Sequence, residues 1–237
     1  LDFMNFERIY AGNQNDTFTI ENEPGHLVQR YIIRAGAGDD SLIFKNGAEL
    51  GGDLIAGQIP SFDGQGGNDT LDYSATTTQG ISINLSVFTP QPINSNSSLA
   101  LKSGKLIENV VGTPLNDLFT SGAGDNEFRG GAGNDLYRFD VDSPLGNDKI
   151  VDTDGTNDLL DFSPTTTVDL TIDLSLSTAQ VVASNLTLTF GVGTIVEDLL
   201  GGALNDTLLG NSANNTIVGT TGDDVLSGGA GNDTLVG

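Results

Sequence analysis

Asparagine and aspartate recur in pairs along this chain, each pair preceded by glycine-rich residues and followed two positions later by an apolar side chain. Framed with the pair at positions five and six, twelve nine-residue blocks begin at Ala11, Ala35, Gly64, Gly112, Ser121, Gly130, Ser143, Thr153, Gly201, Gly210, Gly219 and Gly228. Position eight takes no part in the framing. It reads Phe18, Leu42, Leu71, Phe119, Phe128, Tyr137, Ile150, Leu160, Leu208, Ile217, Leu226 and Leu235. With 37% apolar residues overall, twelve apolar residues in twelve blocks is a chance event on the order of one in a hundred thousand.

Six residues rich in Gly, Asn and Asp turn readily, because Gly supplies positive φ and Asn at position five tolerates the left-handed region. The remaining three form a short strand with one inward apolar side chain. Stacking such units aligns the turns in rows and sets their carboxylates and carbonyls about 4.8 Å apart, the strand separation. Like charges that close repel unless a divalent cation lies between them. A cage of six to eight oxygens suits calcium better than magnesium, which prefers a stiff octahedron and retains its water. Zinc is disfavoured, since the chain has no Cys and only His26.

The elements that must position these turns are strands. Val168, Leu170, Ile172, Leu174 and Leu176 alternate with polar residues, as do Ile81, Ile83, Leu85 and Val87, and Leu186–Phe190 is a further alternating run. No window sustains a 3.6-residue period, so helix is expected to be nearly absent. A slower repeat lies above the nonapeptide. Glu108-Asn109-Val110-Val111-Gly112 returns 89 residues later as Glu197-Asp198-Leu199-Leu200-Gly201, and Leu71-Asp72-Tyr73-Ser74 returns as Leu160-Asp161-Phe162-Ser163, each followed by a Thr triplet. The expected organisation is one continuous solenoid of supra-repeats, 1–107, 108–196 and the start of a third at 197–237. The pattern runs on to the final residue with no atypical capping repeat, which reads as a piece of a longer chain.

Composition narrows the function. Nine Lys and Arg against 32 Asp and Glu give a net charge of −23 over 237 residues, which argues against nucleic acid and anionic membranes as partners. The absence of Cys removes disulfides and thiolate chemistry. There is no apolar run near 18 residues, hence no membrane span is expected. The chain has no nucleophile elbow and no zinc-protease signature.

Two blocks, Gly130 to Arg138 and Gly228 to Val236, fit G-G-x-G-x-D-x-U-x in full. In these tandem motifs the chain resembles RTX (repeats-in-toxin, haemolysin-type calcium-binding) proteins. The resemblance implies an all-β fold, a right-handed parallel β-roll in which two nonapeptides make one coil and calcium lies between same-side turns. It also implies export by type I secretion to an extracellular or cell-surface location. Carried over block by block, the implied ligands are Asp40, Asp69, Asp117, Asp135, Asp148, Asp158, Asp206, Asp224 and Asp233. The implied turn glycines include Gly130, Gly133, Gly219, Gly222, Gly228 and Gly231. Asp16 is a weaker ligand, Asn126 and Asn215 replace the sixth-position Asp, and Leu115, Leu204 and Ala213 replace the fourth-position Gly, which leaves those turns partly formed or empty. Same-side neighbours are expected for Asp117 with Asp135, Asp206 with Asp224, and Asn215 with Asp233. Spacings of thirteen and ten residues around Ser143 and Thr153 leave that pairing open.

Other features have structural readings. Glu7, Glu108 and Glu197 are turn caps or extra ligands, the Thr triplets are solvated strand residues, and His26 is a loop or strand-edge histidine. Tyr31, Ile32 and Ile33 belong to the core, and Arg129, Arg138 and Lys149 form surface pairs with neighbouring carboxylates. Three functional classes remain. The first is a non-catalytic calcium-stabilised segment of a large adhesin, surface-layer or secreted protein, with self-association as a possible partner interaction. The second is a calcium-dependent module that binds extracellular polysaccharide through 73–107 and 162–196. The third, catalysis within this chain, needs a cluster that breaks the repeat.

Overall fold

The structure is a computed structural model, described here for residues 6–21, 30–46, 61–95, 97–101 and 107–237. His26 lies outside these residues, and the side chains of Glu7 and Tyr31 are likewise not described. The described residues contain 23 strands and no helix. Most strands of the nonapeptide blocks are three residues long, as in Leu118–Thr120, Leu136–Arg138, Thr207–Leu209 and Thr216–Val218. The brevity follows from the block, which leaves only positions seven to nine free of Gly, Asn and Asp.

The strands are stacked in parallel. One eight-stranded sheet runs from Thr17–Ile20 through Ser41–Lys45, Thr70–Ala75, Asn109–Val111, Glu127–Arg129 and Gly146–Val151 to Leu186–Phe190 and Gln180–Ala183. A seven-stranded sheet runs from Ser82–Asn84 through Leu118–Thr120, Leu136–Arg138, Leu159–Asp161, Asp198–Leu200 and Thr216–Val218 to Thr234–Val236. Five- and three-stranded sheets complete the roll. Within the tandem blocks, neighbouring strands are eighteen residues apart, with Phe119 opposite Tyr137 and Ile217 opposite Leu235. Successive nonapeptides therefore alternate between sheets, and two make one coil. The alternation survives the irregular spacings: Ile150 pairs with Phe128, and Leu160 pairs with Tyr137.

Position-eight side chains form the core. Leu42, Leu71, Phe119, Phe128, Tyr137, Ile150, Leu160, Leu208 and Ile217 are buried and belong to one cluster. Aromatic rings continue from coil to coil, with Phe119 stacked on Tyr137 and Phe139 stacked on Phe162. Leu235, on the outermost strand of its sheet, is 45% exposed. Ile33 is buried and Ile32 half-buried.

The two segments between nonapeptide clusters depart from the long strands the alternation suggests. Within the alternating runs 81–87 and 168–176 only Ser82–Asn84 and Thr171–Asp173 pair as strands, each followed by a hairpin that contributes antiparallel pairs, whereas the alternating run Leu186–Phe190 forms the expected strand. A buried glutamine locks each hairpin. Gln91 accepts the N–H of Asn84 at 2.8 Å and donates to its carbonyl at 2.9 Å, and Gln180 does the same to Asp173. The Thr triplets lie in loops, not strands. Thr76 and Thr165 are buried, and Thr166 and Thr167 donate hydroxyl and backbone hydrogens to Asp142. Four donors on one exposed carboxylate hold Asp142 at about 2.

Candidate metal centre

Each nonapeptide turn is fixed by two ladders of opposite sense. At position six the N–H of one coil donates to the aspartate Oδ1 of the next. Asp16 donates to Asp40, Asp40 to Asp69, Asp117 to Asp135, Asp135 to Asp158 and Asp206 to Asp224, all at 2.8–2.9 Å. At position five the direction reverses, so that Asn134 donates to Oδ1 of Asn116, Asp223 to Asn205 and Asn232 to Asn214. This corrects the expectation for position five. The only described non-Gly residues at positive φ are Gln65 and Thr220, both at position two. Asn is needed at position five as an acceptor for the next coil, not for the left-handed region.

The glycines make room for these contacts. At position four, Gly133 has φ +122°, and a Cβ there would lie 2.6 Å from the backbone of Leu115 on the neighbouring coil. Gly222 and Gly231 stack in the same way on Leu204 and Ala213. Those three non-Gly residues carry turns that are formed, with negative φ and hydrogen bonds such as Thr113 N–H to Asp117 and Gly202 N–H to Asp206. At position one the constraint is the carboxylate itself. A Cβ on Gly219 or Gly228 would lie 2.2 Å from Oδ2 of Asp224 or Asp233, and one on Gly130 would lie 2.2 Å from Oδ2 of Asp135.

Three rows result. One carries Asp16, Asp40, Asp69 and Glu108, then Asn126 and Asp148. The second carries Asp117, Asp135, Asp158 and Glu197, then Asn215 and Asp233. The third carries Asp206 and Asp224. Glu108 and Glu197 stand where the next aspartate belongs: their Oε2 atoms accept the N–H of Asp69 and Asp158 at 2.7 and 2.9 Å. The strands that follow pair directly, Thr70 with Asn109 and Leu159 with Asp198, so each glutamate occupies the position-six place on the adjoining coil. Between Glu108 and Asn126 the first row opens into a cleft lined by both residues with Ile107, Ala123, Gly124 and Asp125.

The rows divide by what the second oxygen does. Asp16, Asp40, Asp69, Asp135 and Asp224 each leave Oδ2 buried with no hydrogen-bond donor. Asp117, Asp148 and Asp206 engage both oxygens. Ile81 and Thr113 hold Asp117, Asn126 and Ser121 hold Asp148, and Leu170 and Gly202 hold Asp206. Asp233 accepts the N–H of Asn215 at 3.0 Å and is half-buried. Asn215 in turn donates its amide to the Glu197 carbonyl at 2.8 Å.

Burial opposes ionisation of Asp69, Glu108, Asp117, Asp135, Asp148, Asp158 and Asp206. Loss of water pushes Asp135 up to about 8, Asp69 to about 7 and Asp117 to about 6, with neighbouring carboxylates adding to the shift for Asp135 and Asp69. Asp148 and Asp158 rise to about 7 and about 6 for the same first cause. The described ion pairs go to other acids, Arg138 to Asp161, and Lys149 and Arg129 to Glu127. The cationic partners are partly exposed, so the pairs stabilise little. The row carboxylates thus present what a hard cation requires: oxygen donors only, closely stacked, with buried lone pairs at five aspartates that no donor among the described residues satisfies.

Comparison with known protein families accords with this geometry. Residues 199–237 match the RTX calcium-binding nonapeptide repeat in four copies. The chain is an RTX-repeat protein. Residues 58–169 of this RTX-repeat chain match the C-terminal region of the serralysin M10 peptidases, and no catalytic domain is matched. No curated protein matches the chain. The RTX assignment makes it a calcium-binding β-roll of the type I secreted class.

A further carboxylate from outside the nonapeptide frame joins the second row. Asp152 lies between two blocks, is 1% exposed, and comes with Asp135 and Asp158 to within 4.8 Å, ligand atom to ligand atom. Only the ten-residue spacing from Asp148 to Asp158, where the tandem blocks have nine, marks it in the sequence.

Proposed function

We propose that this chain is a non-catalytic structural segment of a larger extracellular or surface protein, folded by calcium at the row aspartates. The ligands in this reading are Asp40, Asp69, Asp135, Asp158, Asp224 and Asp233, with Asp117, Asp148 and Asp206 closing the rows. Gly130, Gly133, Gly219, Gly222, Gly228 and Gly231 serve as the turn positions that let the carboxylates approach. The supporting observation is the set of buried Oδ2 atoms that lack donors, repeated from coil to coil. Bound calcium supplies the positive charge that these oxygens lack, and its binding free energy becomes folding free energy. Extracellular calcium sites commonly bind at about 10⁻⁴ to 10⁻³ M, so such a chain stays unfolded in a calcium-poor cytoplasm and folds on export. The supra-repeats 1–107, 108–196 and 197–237 are then successive lengths of one spacer, adhesin or surface-layer element.

A polysaccharide-binding module is the weaker reading. Sugar platforms need exposed aromatic faces, yet Phe44, Phe62, Tyr73, Phe119, Phe128, Tyr137, Phe139, Phe162 and Phe190 are all buried.

Far-ultraviolet circular dichroism during a calcium titration, with magnesium as the control, tests the proposal. A cooperative gain of β signal with calcium alone supports it. A chain fully folded in chelator and unmoved by calcium refutes it.

A further inference from the structure

The strand Glu127–Arg129 pairs with Gly146–Val151, and Arg129 lies opposite Val151. The residues that follow, Gly130 and Asp152, therefore stack on neighbouring coils. Gly130 is a position-one glycine, and the next coil in the tandem pattern would carry a second one above it. This chain has Asp152 there. A Cβ added to Gly130 would meet Tyr137 Oη at 2.1 Å, Asp135 Oδ2 at 2.2 Å and Asp152 Oδ2 at 2.5 Å. The space that glycine leaves is filled by those three polar atoms.

Hydrogen bonding sorts the oxygens of this cluster into held and free. Asp135 Oδ1 accepts from Asp117, Asp158 Oδ1 accepts from Asp135, and Asp152 Oδ2 accepts the Tyr137 hydroxyl at 2.6 Å. Asp135 Oδ2 and Asp152 Oδ1 remain buried without donors, on residues that are each 1% exposed. Two orphaned carboxylate oxygens and a third carboxylate, at mutual ligand-atom distances within 4.8 Å, fit around one ion. Elsewhere among the described residues a row step joins two position-six residues, or one of them with Glu108 or Glu197; this step gathers three carboxylates, two from position six and Asp152 from outside the nonapeptide.

We propose that Asp135, Asp152 and Asp158 form a three-carboxylate cation site, set apart from the ordinary row sites by Asp152, with Tyr137 as the residue that positions Asp152. It rests on the calcium-row reading and deepens it. Ligand charge raises calcium affinity, so this step binds calcium more tightly than the two-carboxylate steps and fills first. Tyr137 holds one oxygen of Asp152 as an acceptor and leaves the other for the ion. Its phenol ring also sits at contact range from the site, close enough to sensitise a bound lanthanide that takes the same oxygen ligands.

Terbium(III) luminescence excited through tyrosine, with calcium competition and calorimetric stoichiometry on the full chain, tests this. The wild-type chain should give sensitised emission at the first equivalent, displaced by calcium. Asp152→Gly restores the residue of the tandem repeat, and Asp152→Asn keeps the size and the acceptor for Tyr137. Each variant should lose the highest-affinity calcium while the remaining ions still bind. Tyr137→Phe should abolish the first-equivalent emission and weaken that calcium about tenfold, as loss of an outer-shell partner does. Unchanged first-equivalent emission and calcium stoichiometry in both Asp152 variants overturns the three-carboxylate site while the rows stand. A wild-type chain that binds no calcium overturns both.

Discussion

The backbone N–H of Asp117 donates to Oδ1 of Asp135 across 2.8 Å, eighteen residues further along the chain. One residue back the bond runs the other way, from Asn134 N–H to Asn116 Oδ1 at 2.9 Å. Neighbouring coils are thus clamped by two opposed bonds at each turn. The clamp consumes one carboxylate oxygen at position six and turns the other inward. An aspartate at position six both fixes the register and presents a metal ligand, whereas Asn215 at the same position commits its whole side chain to the protein, so stability and calcium affinity separate between the two.

Asp224→Ala and Asn215→Ala should separate them. Asp224 leaves Oδ2 free, so its loss should weaken calcium binding and shift the calcium midpoint of folding upward. Asn215 spends its amide on the Glu197 carbonyl and its Oδ1 on the Asn211 N–H. Its truncation leaves buried groups unpaired and should cost about 1–3 kcal/mol in saturating calcium. Calcium titrations and urea unfolding of both variants decide; a larger calcium shift for Asn215→Ala would undo the assignment.

Gly130→Ala and Gly66→Ala form a matched pair. The first puts a methyl group onto Asp135 Oδ2 and the Tyr137 hydroxyl, whereas the second meets nothing within 4 Å and has no positive φ. Overpacking typically costs about 1–3 kcal/mol. Thermal melts in calcium should therefore show a marked fall for Gly130→Ala and little change for Gly66→Ala.

Without calcium, the rows make folding depend on pH. Burial raises Asp69, Asp117, Asp135, Asp148 and Asp158 from 3.8 to values between about 6 and about 8. Between about pH 4 and 8 the folded chain then binds more protons than the unfolded chain, so stability falls as pH rises. The contribution is complete below the unfolded value of 3.8 and is lost as pH climbs through 6–8. In chelator, the β signal should be stronger at pH 5 than at pH 8. Equal spectra at the two values would show that the rows do not control folding.

Gln91→Ala and Gln180→Ala remove equivalent hairpin locks. Each leaves a half-buried N–H and carbonyl, of Asn84 or Asp173, unpaired, for about 1 kcal/mol. Calcium-binding curves should move little, because neither glutamine touches a row. A loss of calcium stoichiometry equal to that of Asp224→Ala would show the hairpins to be part of the metal scaffold.

The sequence by itself determined what depends on the nine-residue period. Position-eight side chains read as core, and Leu42, Leu71, Phe119 and Ile217 are buried. The 89-residue offset returns in the twin bonds of Gln91 and Gln180 and of Glu108 and Glu197. Tertiary structure decided which coil lies on which and what each oxygen faces. The thirteen- and ten-residue spacings concealed that Ile150 stacks on Phe128 and Leu160 on Tyr137. They also concealed that Asp152 enters the slot of a position-one glycine beside Asp135. Lateral bonds join residues eighteen to thirty-nine positions apart. A nine-residue motif encodes the bend of a turn. The charge, burial and free lone pairs at that turn belong to the coil above and the coil below.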